Sequence, residues 1–301
     1  MSNVKAWIES FRLRTLPLAL SCIGMGSILA AEFRVFKLNI FVLTAITAIF
    51  LQVLSNLAND YGDAVKGSDN ENRVGPQRAL QSGLISLKAM RNAIVVCSLL
   101  SLISGCSLLY IATDGQISSM FIIFLILGLV CIAGAIKYTI GKKPYGYAGF
   151  GDVAVFIFFG LIGVGGSFYL HAHALPAIIL LPASALGFLS AGVLNVNNMR
   201  DIENDAATGK KTIVVRMGLA NAKKYHCILI GLALLFLFIY TSVNQISPLQ
   251  MLYLIVTPLF MIHLVSVLGK ESKALDGNLR QLAIFTLILV ICFGVNTIVC
   301  A

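Results

Sequence analysis

Apolar residues gather along this chain in nine long blocks, at about 16–31, 38–59, 89–112, 117–140, 150–170, 174–199, 223–243, 248–268 and 279–300. Each is close to the ~20 residues an α-helix needs to cross the hydrocarbon core of a bilayer. Polar residues collect between the blocks rather than on one face of each, so the pattern is that of helices surrounded by apolar material. A bilayer offers backbone groups no partners, and helices satisfy their own. The expectation is an all-α polytopic membrane protein, nine transmembrane helices around a central cavity open toward the cytoplasmic face, in one domain over 1–301. Ahead of the first block, Trp7, Ile8, Phe11 and Leu13 are interspersed with Lys5, Arg12 and Arg14. That spacing predicts an interfacial helix within 1–15 and lacks the apolar core of a cleavable signal peptide.

Composition supports this reading. Of 301 residues, 58% are hydrophobic and 12% charged, where a soluble domain carries about 25% charged residues. The net charge of +9 does not point to nucleic acid once the Lys and Arg are placed. Twenty of the 22 precede the first block or follow an even-numbered one, and only Arg34 and Lys37 fall on the other side. The positive-inside rule then puts the N-terminus in the cytoplasm and the C-terminus outside, for a multi-pass protein of the inner (cytoplasmic) cell membrane. The seven cysteines are scattered without metal-ligand spacing and read as small hydrophobes.

Two polar stretches interrupt the apolar order, and both follow even-numbered blocks. One runs Asn56-Leu-Ala-Asn59-Asp60-Tyr61-Gly-Asp63-Ala-Val-Lys66-Gly67-Ser-Asp69; the other runs from Asn195 to Thr212 and carries Asn198, Asp201 and Asp205. Asn56, Asn59 and Asp63 share a helix face by i, i+3 and i+4 spacing, and the same arithmetic groups Asn195, Asn198, Asp201 and Asp205. Carboxylates four apart repel, and they sit at helix C-terminal ends, where the dipole also disfavours them. A shared cation removes the conflict, and hard oxygens suit Mg²⁺ that also binds a substrate phosphate. Asn59, Asp63, Asp69, Asp201 and Asp205 are the metal candidates; Asp63, Asp201 and Asp205 are the catalytic ones. Acids beside Lys66, Arg73 and Arg78 in one loop and Lys210 and Lys211 in the other suit a diphosphate, held by metal bridging and charge-assisted hydrogen bonds, with Lys66, Arg73, Lys210 and Lys211 as the diphosphate candidates. Asn56, Asn195 and Asn198 are expected to line the cavity. The 60–88 and 200–222 segments are read as cytoplasmic active-site loops. Four blocks separate the stretches, which hints at a duplicated four-helix unit. His171 and His173 read as loop residues, and His226 and His263 as single core histidines.

The stretches resemble the motifs of the UbiA superfamily of intramembrane prenyltransferases. Asn59 and Asp63 match the first, Asn-x-x-x-Asp-x-x-x-Asp, with Gly67 at its third position and Asp69 near enough to substitute. Asp201 and Asp205 match the second, Asp-x-x-x-Asp. Lys143-Pro144-Tyr145-Gly146-Tyr147, Gly151-Asp152 and Lys210-Lys211-Thr212-Ile213 narrow the likeness to members acting on 1,4-dihydroxy-2-naphthoate in menaquinone synthesis. The resemblance implies transfer of a polyprenyl chain from polyprenyl diphosphate to that acceptor, with loss of diphosphate and CO₂, to give demethylmenaquinol. It implies Mg²⁺ as cofactor, the lipid bilayer as surroundings, and acceptor contacts at Tyr145, Tyr147 and Asp152. Tyr61, Tyr145 and Tyr147 are candidates to steady an allylic cation. The alternative within this fold is a different aromatic or quinone-precursor acceptor. A proton- or sodium-coupled transporter would instead place its polar groups near the bilayer midplane.

Overall fold

The computed structural model describes residues 3–69, 78–244 and 248–299, and among these there is no strand. Nine of its helices are long and apolar enough to cross a membrane. They are Leu16–Glu32, Leu38–Val65, Leu87–Ala112, Ser119–Lys137, Gly151–Ala172, Leu180–Arg200, Ile213–Val243, Met251–Gly269 and Asp276–Val299, here called the first to ninth spans. A short helix, Asn3–Phe11, precedes them. Local chemistry starts several of these helices. Ser86, Ser118 and Thr212 cap the third, fourth and seventh spans by accepting the N–H of the third residue on.

The sixth span is the hub. Leu186, Leu189 and Ala183 are fully buried in the largest core cluster, with Phe168 of the fifth span, Tyr240 of the seventh, Phe260 of the eighth and Leu289 of the ninth. Glycine lets the fifth and sixth spans touch backbone to backbone: a Cβ on Gly160 would lie 2.6 Å from the Ala183 carbonyl. A second cluster joins Leu54 and Leu57 of the second span to Met90 and Ile94 of the third, with Trp7 and Phe11 packed against it. The fourth span has no fully buried residue: Ile122, Ile123, Ile126, Leu129 and Val130 are exposed, while Phe124, Leu127 and Ile132 line the cavity.

The expected boundaries next to the two polar stretches both move. The second span continues to Val65, so the first polar stretch is helix up to its turn at Lys66. The seventh begins at Ile213, ten residues before the expected 223, and is broken at Gly218 (φ 77°, ψ 161°). Apolar content alone could not show this, because backbone hydrogen bonds extend a helix past the point where its side chains cease to be apolar.

The histidines also differ from expectation. His171 is not a surface loop residue: its Nδ1 accepts the Lys37 N–H at 3.1 Å and its ring stacks on Phe36. His226 and His263 are core residues, as expected, but not single ones. They are fully buried with Nε2 atoms 3.0 Å apart, and Gln281 Oε1 lies 3.0 Å from His263 Nδ1.

The fifth span is π-helical from Phe156 to Gly166. Its cavity-facing residues (Ala154, Val155, Phe158, Phe159, Ile162, Gly163, Gly166, Ser167) recur in pairs every four positions. In an α-helix, where each residue turns by about 100°, such a row winds off its face. The wider π turn carries the row the other way and offsets that drift.

Candidate active site

Both polar stretches end in the same backbone device. After the second span, the Ser68 N–H donates to the Asp63 carbonyl at 2.9 Å and the Gly67 N–H to Ala64 at 3.2 Å. After the short helix Ile202–Ala207, the Lys210 N–H donates to the Asp205 carbonyl at 2.8 Å and the Gly209 N–H to Ala206 at 3.3 Å. Gly67 (φ 72°) and Gly209 (φ 75°) are left-handed, which glycine adopts without a Cβ penalty. Gly67 therefore stands where the resembling motif has a third acid because it turns the chain, and Asp69 is carried back onto the cavity wall. Asn204 Nδ2 donates to the Ser68 carbonyl at 2.9 Å and ties the two turns together.

Charge is distributed unevenly between them. Asp60, omitted from the expected site, is clamped by Arg12 and Arg78. The Arg78 guanidinium also lies 3.5 Å from Asp63 Oδ2 and 3.2 Å from Asp69 Oδ1. Burial works to lower the Arg78 pKa, but Asp60, Asp63, Asp69 and Asp201 together hold it above its ordinary value. Tyr147 donates its hydroxyl to Asp63 Oδ1 at 2.8 Å. At the second stretch, Arg200 grips Asp201 through Nε (2.9 Å) and Nη2 (2.6 Å), and also reaches Asp276 and Asn197. Asp205 has less support: Lys210 Nζ lies 3.4 Å from Oδ1, while Oδ2 is buried with no hydrogen-bond partner. Burial, with the charges of Asp201 and Asp63 adding, pushes the Asp205 carboxyl up to about 6 against the pull of Lys210. Lys210 itself is held above its ordinary range because Asp63, Asp205 and Asp201 outweigh the cost of its burial.

These groups form one end of a cavity of about 400 Å³. Asn56, Asn59, Asp63, Asp69, Arg78, Asn198, Asp201, Asp205, Lys210 and Tyr145 line it, joined by Arg12, Arg14, Asn197 and Asn204, which the sequence reading did not select. Apolar side chains such as Leu18, Leu51, Leu127, Phe158 and Ile162 line the rest. On the second span the lining runs from Thr44 to Asp63, roughly 28 Å at 1.5 Å per residue and so close to the thickness of a bilayer core.

Several expected residues lie elsewhere. Asn195 is fully buried but does not line the cavity, and neither of its side-chain polar atoms has a hydrogen-bond partner. Each i+3 step falls about 60° short of a full turn, so by Asp201 the row has moved about 120° from Asn195. Asn56 touches the cavity, but its amide is already used, donating to the Phe11 carbonyl (2.9 Å) and Thr15 Oγ1 (3.0 Å) to fasten the N-terminal segment. Lys66 and Lys211 are exposed and off the cavity wall. Tyr61 packs into the second core cluster. Tyr147 and Asp152 stand behind the wall, Asp152 with Oδ1 buried and unpartnered. Arg73 lies outside the described residues. Arg200 could have been suspected from its adjacency to Asp201, and Arg78 was expected in the basic segment after Asp69, but the targets of both are set by folding.

Comparison with known proteins bears on this site. The UbiA prenyltransferase family matches residues 19–296. The 1,4-dihydroxy-2-naphthoate octaprenyltransferase of Haemophilus influenzae is 42% identical over 300 residues, covering 99% of this chain and 97% of the relative. The protein of the same name from Escherichia coli is 46% identical over 260 residues, covering 86% and 83%. A solved apo UbiA homolog from Aeropyrum pernix shares the fold with a TM-score of 0.69 at 16% identity, covering 96% of this chain and 98% of that one. A UbiA homolog from Archaeoglobus fulgidus, solved bound to DMAPP and Mg²⁺, has a TM-score of 0.63 at 17% identity, with 96% and 99% covered. Fold and matches together define an integral-membrane enzyme of prenyl transfer. The chain belongs to the UbiA prenyltransferase family.

Proposed function

We propose that this protein transfers a polyprenyl chain from polyprenyl diphosphate to 1,4-dihydroxy-2-naphthoate, releasing diphosphate and CO₂ to give demethylmenaquinol. One observation carries the reading: the oxygen donors of both motifs, with Lys210 and Arg78, share one end of a bilayer-long apolar cavity. The names of the relatives from Haemophilus influenzae and Escherichia coli support this acceptor.

Mg²⁺ fits the donor set. Among the described residues, no three His, Cys, Asp or Glu side chains are grouped to hold a metal unaided. Mg²⁺ commonly takes one or two carboxylates and completes its shell with water and substrate phosphates. Asp63, Asp69, Asp201 and Asp205, with Asn59, would hold it in this manner, and the unpartnered Asp205 Oδ2 is an open acceptor for it. Bound there, the ion would stabilise negative charge on the diphosphate.

The chain's own residues supply the remainder. Lys210 and Arg78 face the leaving diphosphate as the allylic C–O bond breaks and its electron pair departs with the phosphate. The walls around Leu51, Phe158 and Ile162 keep water from the allylic cation. The naphthoate ring carbon then bonds to the cation, and the carboxyl leaves as CO₂ while its bonding pair returns to the ring. Tyr145 lines the acceptor side and is held by its hydroxyl to the Gly134 carbonyl at 2.7 Å; Asp152 stands behind it. The motif end faces the cytoplasm of the inner cell membrane, with the C-terminus outside, because nearly all cations lie at that end. The chain acts as one integral-membrane domain, with Asn3–Phe11 resting in the interface.

Purified protein in membranes should release diphosphate and CO₂ from dihydroxynaphthoate and a polyprenyl diphosphate, and chelation should stop both. Prenylation of another aromatic acceptor, with dihydroxynaphthoate inert, would replace the acceptor and keep the reaction type. No diphosphate release with any acceptor would reject the reading.

A further inference from the structure

Tyr147 was expected at the acceptor on the strength of resemblance, yet it does not line the cavity. We infer that Tyr147 is a positioning residue, a post behind the cavity wall that holds Asp63 of one motif and Lys210 of the other in working register. The inference rests on the proposed diphosphate chemistry.

Three parts of the residue act on three parts of the site. The hydroxyl donates to Asp63 Oδ1 at 2.8 Å and lies 2.6 Å from Ser68 Oγ. A phenol has one proton to give, so Ser68 donates to Tyr147 and Tyr147 to Asp63. A tyrosine hydroxyl keeps its proton at neutral pH, so it serves as the donor in this bond. With Oδ1 held by Tyr147 and Oδ2 facing Arg78 at 3.5 Å, the Asp63 carboxylate is fixed in one orientation.

The ring carries two ammonium groups, Lys66 Nζ at 5.3 Å and Lys210 Nζ at 5.4 Å from its centroid, both within range of a cation–π attraction. Lys210 is the consequential one, because its Nζ lies 3.4 Å from Asp205 Oδ1 and lines the cavity. The carbonyl accepts the Lys211 N–H at 3.0 Å, which anchors the chain leaving the second motif. The motifs are more than a hundred residues apart in sequence, and Tyr147 contacts both without facing substrate.

The hydroxyl and the ring are separable. Tyr147→Phe removes the bond to Asp63 and keeps the ring under Lys210; Tyr147→Leu removes both; Ser68→Ala weakens the hydroxyl's orientation only. Binding is read without turnover, from the melting temperature of detergent-solubilised protein titrated with inorganic diphosphate and Mg²⁺. KM is then measured for each substrate. Tyr147→Phe should weaken diphosphate binding about tenfold, as expected for a hydrogen bond to a charged group. Tyr147→Leu should weaken it further and Ser68→Ala less, with the acceptor KM unchanged in all three. Unaltered diphosphate binding with a raised acceptor KM would overturn the inference and return Tyr147 to the acceptor. Wild-type protein that binds diphosphate no better than Tyr147→Phe overturns it alone. Wild-type protein that binds none overturns the proposed function as well. If Tyr147→Leu does not fold, Tyr147→Phe and Ser68→Ala still decide the hydroxyl's role.

Discussion

The second span closes on Asp63-Ala-Val-Lys66-Gly67-Ser68, and the helix after the sixth span closes on Asp205-Ala-Ala-Thr208-Gly209-Lys210, with matching backbone hydrogen bonds. The correspondence continues backwards: Asn59 and Asp201 lie four residues before these acids, Asn56 and Asn198 seven before. The surroundings differ. The first acid sits on an unbroken helix, Leu38–Val65, between Arg78 and Tyr147, and Arg12 and Arg78 clamp Asp60 three residues before it. The second sits on a short helix beyond a break at Asp201, with one lysine near it and one carboxylate oxygen unpartnered. A repeated local motif has thus acquired two electrostatic characters. One acid is held by an arginine and a tyrosine hydroxyl, and the other by a single lysine that leaves one oxygen unpartnered.

The comparison is broken most directly at the acids themselves. Asp63→Asn and Asp205→Asn should each lower kcat about a thousandfold, roughly 4 kcal/mol of transition-state stabilisation. The double variant should lose little more, since groups acting as a unit are non-additive. Losses that multiply in full would make the two ends independent sites.

The arginine-held end is tested by Arg78→Met. Removing the shared partner of Asp60, Asp63 and Asp69 should cost about 3 kcal/mol of stability in detergent unfolding. Millimolar Mg²⁺ should restore part of it. A variant as stable as wild type without metal would show that Arg78 is not what balances this end.

At the other end pH is the probe. Asp205 is held near 6 in the folded protein, against about 3.9 in an unfolded chain. Between those values the folded state binds the extra proton. Its contribution is therefore complete below about pH 4 and is lost as pH rises through 6, on the order of 3 kcal/mol. Asp205→Asn should flatten that part of a stability–pH profile, while Asp63→Asn should leave it sloping.

Lys210→Ala should raise the KM for the prenyl diphosphate about tenfold, or 1.4 kcal/mol. Lys211→Ala should change it less than about twofold, as expected for an exposed side chain off the cavity wall. Equal effects would place both lysines on the diphosphate. The smallest expected effect belongs to the turns. Gly67→Ala and Gly209→Ala should each cost about 1 kcal/mol through the left-handed backbone alone, since no atom lies near either would-be Cβ. A much larger loss at one would show that the turns are not equivalent.

Nine spans, the cavity's polar end and most of its acids were legible in the residues because membrane insertion and helical periodicity are local rules. An apolar run of about 20 residues in a bilayer has one way to satisfy its backbone, and i, i+3, i+4 spacing sets a face over one or two turns. Over longer distances periodicity drifts, which is why Asn195 left the row that holds Asn198 and Asp201. The His226–His263 contact joins residues 37 apart and has no local signature.

What the chain determined alone was therefore a membrane-spanning helical bundle, two acidic helix ends on one side of it, and oxygen ligands suited to a metal and a diphosphate. Tertiary structure decided the partners: Arg78 rather than Lys66 among the acids, Lys210 rather than Lys211 on the cavity wall, and the Tyr147 hydroxyl on Asp63 with its ring off that wall. Neighbouring lysines are equivalent to a reading of residue types. Packing distinguishes them, because consecutive side chains leaving a turn point to different sides and only one meets the cavity.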